Sequence, residues 1–229
     1  MTVLVVQFEG DAPPGQIGEA LAAAGLALEV RHPYARDALP PDAAGLTALA
    51  VLGGAMDATE PALPYLRDVE ALIADAARRD VPVLGLCLGG QLCSLALGGT
   101  VGRRPGGIRI GWLPVEPVGR DPLTAGMSPA TRLFRWHQDC FTLPPGATPL
   151  LAGADGFRLG SVCALQPHPE VDRAIVAGWC ATYGSDAQLA AAGTSEAEAI
   201  AGAGRYAAAG RALLDAWCAE VAAGAARAA

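Results

Sequence analysis

The sequence predicts an α/β fold: a doubly wound, mostly parallel sheet flanked by helices, with a smaller antiparallel or mixed section. Three observations predict it. Continuous apolar runs occur at 2–8 (TVLVVQF), 46–52 (LTALAVL) and 81–86 (VPVLGL), and unbroken apolarity suits strands buried on both faces. Helical patterns at 15–24 and 64–79 lie between them, and this alternation is the signature of a doubly wound sheet. From about 100 to 180 the texture changes to short strand-like runs separated by Pro and Gly turns.

Taken in order, the run at 2–8 is a first buried strand and 15–24 its crossover helix. Segment 64–79 carries Leu66, Val69, Leu72, Ile73 and Ala76 at helical spacing. The runs 111–118, 131–136 and 157–166 read as strands of the antiparallel or mixed section. In the Ala-rich tail, 206–221 places Ala209, Leu213, Ala216, Trp217 and Val221 on one helix face. At 229 residues one domain spanning 1–229 is expected, with 186–229 as a C-terminal helical extension packed on it. No internal repeat or long linker interrupts it.

Sixteen basic and 23 acidic residues give a formal charge of −7, which opposes nonspecific attraction to nucleic acid or anionic lipid. The uncharged stretch between Asp80 and Arg103 is long enough to span a bilayer. It contains Pro82 and six glycines, so it reads as a buried strand, a tight turn and a packed helix, and no membrane association is expected. The six cysteines form no CxxC pair, which speaks against a zinc ribbon or a dithiol redox motif. Reduced thiols, together with a start lacking a basic n-region, predict a cytoplasmic protein.

The most informative segment is VPVLGLCLGGQLCSLALGG, a strand that runs into Gly85-Leu86-Cys87-Leu88-Gly89 and then a helix. This G-x-C-x-G pattern is a nucleophile elbow. Its sharp turn projects the Cys87 side chain above the sheet, and a helix N-terminus favours a thiolate. The Leu88 amide would then face a developing oxyanion. A cysteine is more often a small core hydrophobe; Cys93 fits that description, whereas Cys87 does not.

A thiol nucleophile needs a base, and the histidines are His32, His137 and His168. His168 lies in ALQPHPEVD, with Glu170 two residues on. In extended backbone, residues i and i+2 share a face, so Glu170 can hold the imidazole with its other nitrogen towards Cys87. Gly53 and Gly54, directly after the 46–52 run, let backbone amides approach a substrate closely. Neither GxGxxG nor a P-loop is present, so no nucleotide site has a motif behind it.

LGG at 52–54, GLCLGGQ at 85–91 and QPHPE at 166–170, in this order, resemble the class I glutamine amidotransferases. The similarity covers about residues 45–172 and is strongest to free-standing members related to the glutaminase domain of GMP synthase. IGW at 110–112, FRWHQDCFTLPPGA at 134–147 and GFRLG at 156–160 match further blocks of that subgroup. The resemblance implies a Cys-His-Glu triad of Cys87, His168 and Glu170, with Gly54 and Leu88 as oxyanion-hole amides and no cofactor. It also places Gln91, Gly53, His137 and Gln138 beside the substrate. Pro167, Ala55 and Gln138 depart from the family pattern, at the pocket wall, the oxyanion-hole loop and the substrate entrance.

The expected activity is hydrolysis of the γ-glutamyl amide of glutamine through a thioester, releasing glutamate and ammonia. A synthetase domain is absent from this sequence, so ammonia transfer would require a separate synthetase partner. Two alternatives stand beside it: a γ-glutamyl peptide or γ-glutamyl-amine hydrolase, and a noncatalytic module that keeps the fold. Intact Cys87, His168 and Glu170 argue against the last.

Overall fold

Residues 1–228 are described by a computed structural model of the chain. Its first half runs β1 (Thr2–Val6), α1 (Gln16–Ala23), β2 (Ala27–Arg31), β3 (Ala48–Val51), α2 (Tyr65–Arg78), β4 (Val83–Leu86), α3 (Leu88–Ala96), β5 (Val101–Arg103) and β6 (Arg109–Pro114). The second half runs β7 (Arg132–His137), β8 (Asp139–Phe141), β9 (Thr148–Leu151), β10 (Gly156–Leu159), β11 (Val162–Leu165), α4 (Arg173–Tyr183), α5 (Asp186–Ala191) and α6 (Glu196–Ala228). Seven strands form one sheet in the order β2-β1-β3-β4-β11-β10-β9. The first five are mutually parallel; β10 and β9 extend the sheet antiparallel. Two small antiparallel pairs, β5 with β8 and β6 with β7, lie outside it.

The apolar runs are continuous because the sheet is covered on both faces. Side chains alternate along a strand, and in β1 Val3 and Val5 enter one core while Leu4 and Val6 enter the other. The same division holds in β3, where Ala48 and Ala50 oppose Leu49 and Val51. Helices α1 and α6 cover the first face, and α2 and α3 the second. Helix α2 buries Leu66, Val69, Leu72, Ile73 and Ala76, the stripe read from its spacing.

Four elements differ from the sequence expectations. The run at 157–166 is two strands, β10 and β11, split by a turn at Gly160, and β11 is a central parallel strand beside β4. The tail helix begins at Glu196 rather than near 206: Ser195 accepts from the Glu198 amide and its hydroxyl meets the Glu198 carboxylate, a capping box, and alanine carries the helix onward. Strand β2 lacks a buried apolar run because it is a largely exposed edge strand. Helix α4 lacks a one-sided stripe, although Asp172, which accepts from the Ile175 amide, marks its start.

All five parallel strands point the same way, so the carboxyl ends of β1, β3, β4 and β11 form one rim. Ligands of open α/β sheets bind outside such a rim. Helix α3 presses onto this rim at Gly89, where a Cβ would stand 2.0 Å from the Val51 carbonyl oxygen. Gly89→Ala therefore forces α3 away from β3. Overpacking of this kind costs about 1–3 kcal/mol, and a lowered urea midpoint with unchanged slope is the expected reading.

Candidate active site

Each site residue follows a strand end. Beyond β4 the backbone turns sharply at Cys87, which takes φ 51° and ψ −105°, a left-handed conformation costly for a non-glycine residue. The turn is held by the Cys87 amide donating to Leu165 O at 2.8 Å. It sets the sulfur at the first turn of α3, and the side chain lines a cavity of about 300 Å³. The elbow expected from the sequence is the observed one.

Beyond β11, His168 and Glu170 approach through a turn rather than the extended strand expected from their i, i+2 spacing. The His168 amide donates to Phe134 O at 2.8 Å, and His168 Nδ1 lies 2.7 Å from Glu170 Oε1. Gln16 secures the turn from α1: its backbone amide donates to Glu170 O at 2.9 Å, and its Nε2 is within 3.2 Å of the carbonyls of Pro169, Val171 and Ala207. Gly15 admits this approach, since a Cβ there would stand 2.2 Å from Glu170 O. The Trp179 ring lies edge-on to His168 at 4.8 Å between centroids.

His168 and His137 are both buried, and their environments drive them apart. For His168, burial favours the neutral ring, but the Glu170 carboxylate and then Cys87 outweigh it and raise the pKa from 6.5 to about 10. His137 has only a carbonyl, Asp139 O at 2.8 Å from Nδ1, to offset burial, which lowers its pKa to about 3. It is therefore neutral at pH 7, donates from Nδ1, and presents Nε2 as an acceptor that has no partner among the described residues. A ring held this far below neutrality is a poor proton acceptor, so His168 is the better candidate base.

Gly53 and Gly54 follow β3 at the rim. A Cβ on Gly53 would stand 2.8 Å from His168 Cε1, and one on Gly54 would stand 3.0 Å from Leu88 Cδ2. Glycine is required by these close approaches. Among the described residues the amides of Gly54 and Leu88 have no hydrogen-bond acceptor, so both are free to serve an oxyanion. Gln91, one turn into α3, is buried and lines the cavity with Gly54, His137 and Gln138. The structure thus brings Cys87, His168, Glu170, Gly53, Gly54, Leu88, Gln91, His137 and Gln138 to one rim; His32 instead lies between Gln7 and Asp37.

Several side chains at the cavity were not singled out in the sequence. Gln166 Nε2 stands 3.6 Å from Cys87 Sγ. Glu9, Trp136, Trp179 and Tyr183 also line the cavity. Gln166 lies inside the QPHPE block, which was the available signal; the others come from segments with no motif. Among the described residues, no group of three or more His, Cys, Asp or Glu could hold a metal ion, and no helix is long and apolar enough to cross a membrane.

A family model described as glutamine amidotransferase class-I matches residues 15–174. The glutamine-hydrolyzing component of the GMP synthase of Sulfolobus acidocaldarius is 32% identical over 99 residues, 40% of this chain and 52% of that protein. The glutamine amidotransferase-like protein YfeJ of Salmonella typhimurium is 36% identical over 130 residues, 54% of each chain. The chain thus spans about half the length of these curated relatives. A glutamine amidotransferase of Thermotoga maritima superposes with TM-score 0.87 at 25% identity, over 97% of this chain and 98% of the other. One from Methylobacillus flagellatus gives 0.84 at 29% identity, over 95% and 92%.

Two measurements probe this geometry. Burial pushes the Cys163 thiol up to about 12 and the Cys93 thiol higher still, so iodoacetamide at neutral pH should label Cys87 first among the six cysteines by peptide mapping. Glu170→Gln should bring the His168 ring titration down towards 6.5, read by ¹⁵N NMR; an unmoved titration would mean that Glu170 does not hold the proton. The raised pKa also stabilises the folded state, in full below about 6.5 and progressively less as pH rises through about 10. In Glu170→Gln that alkaline loss should begin at lower pH.

Proposed function

The chain belongs to the class I glutamine amidotransferase family, and we propose that it is a cysteine hydrolase of γ-glutamyl amides, with glutamine as the leading substrate. The observation that carries this reading is the buried His168–Glu170 pair, Nδ1 to Oε1 2.7 Å, set beside a cysteine on a strained elbow.

In the proposed reaction His168 takes the Cys87 proton and Glu170 holds the resulting imidazolium. The sulfur attacks the γ-amide carbon, and the amides of Gly54 and Leu88 receive the developing oxyanion. The C–N bond then breaks as His168 passes its proton to the leaving ammonia, which leaves a γ-glutamyl thioester on Cys87. Water attacks the thioester, giving one proton to His168, and the C–S bond breaks to release glutamate. His168 returns that proton to the sulfur. The neutral His137 Nε2 and the Asp139 carboxylate, both at the cavity wall, suit the α-ammonium of a γ-glutamyl compound. Gln91 and Gln138 complete the polar lining. If the ammonia is used in synthesis, a separate synthetase partner receives it; a cytoplasmic location agrees with six free thiols.

The experiment is a panel of glutamine, γ-glutamyl amines and γ-glutamyl peptides with glutamate and ammonia both measured. Glutamate with matched ammonia from glutamine supports the leading reading. Glutamate without ammonia, from the amines or peptides alone, moves the activity to the γ-glutamyl-amine or peptide class. Cys87→Ala and His168→Ala should abolish turnover, and Glu170→Gln should retain part of it. Gly54→Val should lower kcat about 100- to 1000-fold, because its side chain would meet Leu88 Cδ2 and Met56 Sδ, while iodoacetamide labelling of Cys87 survives. A raised KM at unchanged kcat would instead make Gly54 part of the pocket wall.

A further inference from the structure

Segment 52–55 is tied down at its two ends by different bonds. At one end the Leu52 amide donates to Val6 O at 3.0 Å, and Leu52 O accepts from the Gly89 amide at 3.1 Å. At the other, the Ala55 amide donates to Glu9 Oε1 at 2.7 Å. Only Gly53 and Gly54 lie between these anchors, the residue type with the widest backbone freedom. The peptide joining Gly54 to Ala55 owes its orientation to Glu9, since Ala55 is exposed and its amide has no other acceptor among the described residues. Val6 and Glu9 belong to β1 and the turn after it, so a single rim segment grips both ends of the glycine pair.

Glu9 is itself fixed. Its carboxylate is half-buried at the cavity wall, and its other oxygen, Oε2, stands 3.5 Å from the Tyr183 hydroxyl. That hydroxyl donates to Asp11 at 2.6 Å, and Trp179 Nε1 donates to Asp11 O at 2.8 Å. Tyr183 and Trp179 both come from α4, the helix that follows the His168–Glu170 turn. The Glu9 side chain therefore joins the glycine loop to the helix beside the base.

We propose that Glu9 is a positioning residue: by accepting from the Ala55 amide it fixes the Gly53–Gly54 peptide planes so that the Gly54 N–H faces the oxyanion. This rests on the oxyanion role given to Gly54 above. The carboxylate touches no reacting atom; its effect passes through the backbone. An acceptor oxygen is what the bond needs, so an amide side chain of the same length preserves the clamp and a methyl group does not.

The test compares Glu9→Ala with Glu9→Gln. In Glu9→Ala, kcat for the γ-glutamyl substrate should fall about 10- to 100-fold, less than the loss of a donor outright, with KM changed by less than about threefold. Glu9→Gln should recover most of that kcat. The rate of Cys87 alkylation by iodoacetamide, a displacement that forms no oxyanion, should stay within about twofold in both. Hydrogen–deuterium exchange of peptide 52–57 should quicken in Glu9→Ala and not in Glu9→Gln. A raised KM at unchanged kcat overturns the proposal and makes Glu9 a contact for the substrate ammonium. Equal losses in the two variants, or exchange unchanged in Glu9→Ala, also overturn it. If the wild-type protein turns over no γ-glutamyl compound, the function proposed above fails, whereas exchange still decides whether Glu9 holds the loop.

Discussion

Removing the His168 imidazole and the Glu170 carboxylate from water together is the constraint on which the rest of the rim depends. A lone buried charge is expensive, and a buried pair is tolerable only when its geometry is fixed. Here the fixing groups come from well-separated parts of the chain: Phe134 O on the His168 amide, the Gln16 amide and side chain around the turn, and the Trp179 ring against the imidazole. The same packing that costs His168 its solvent gives Glu170 a strong hold on it. Proton affinity at the site is thus a property of the tertiary structure.

The contrast with His137 makes the point within one cavity. Both rings are buried, yet one is raised to about 10 and the other lowered to about 3, and the difference is a carboxylate against a carbonyl at Nδ1. One histidine is thereby suited to carry a proton and the other to accept a hydrogen bond. The cysteines divide on similar grounds. Cys93 and Cys163 are sealed in apolar packing that suppresses their ionisation, whereas Cys87 is turned by a strained backbone towards an open cavity.

What was legible in the sequence is what depends on short range. The elbow is written in five consecutive residues, 85–89, because glycine spacing, strand apolarity and the helix start are local. The alternation of buried runs gave the parallel sheet for the same reason. His168 and Glu170 were found as a pair, although the turn that joins them is not the extended backbone inferred. Glu9, Trp179 and Tyr183 could not be read: each reaches the cavity only after β1 and α4 are placed side by side, and nothing in their own neighbourhoods marks them. Strand β2 and helix α4 escaped because an exposed edge strand and a helix without a one-sided stripe lack the periodicity that reading relies on.

The central claim is that Cys87 carries the acyl group, and it can be observed directly. Protein mixed with glutamine or the best γ-glutamyl substrate is acid-quenched within the first turnovers, digested at low pH, and its peptides weighed by mass spectrometry. The account predicts a γ-glutamyl adduct on the peptide containing Cys87, lost on alkaline treatment as a thioester must be and absent from Cys87→Ala. Glutamate released by Cys87→Ala at the wild-type rate, or an adduct on a different residue, would contradict it.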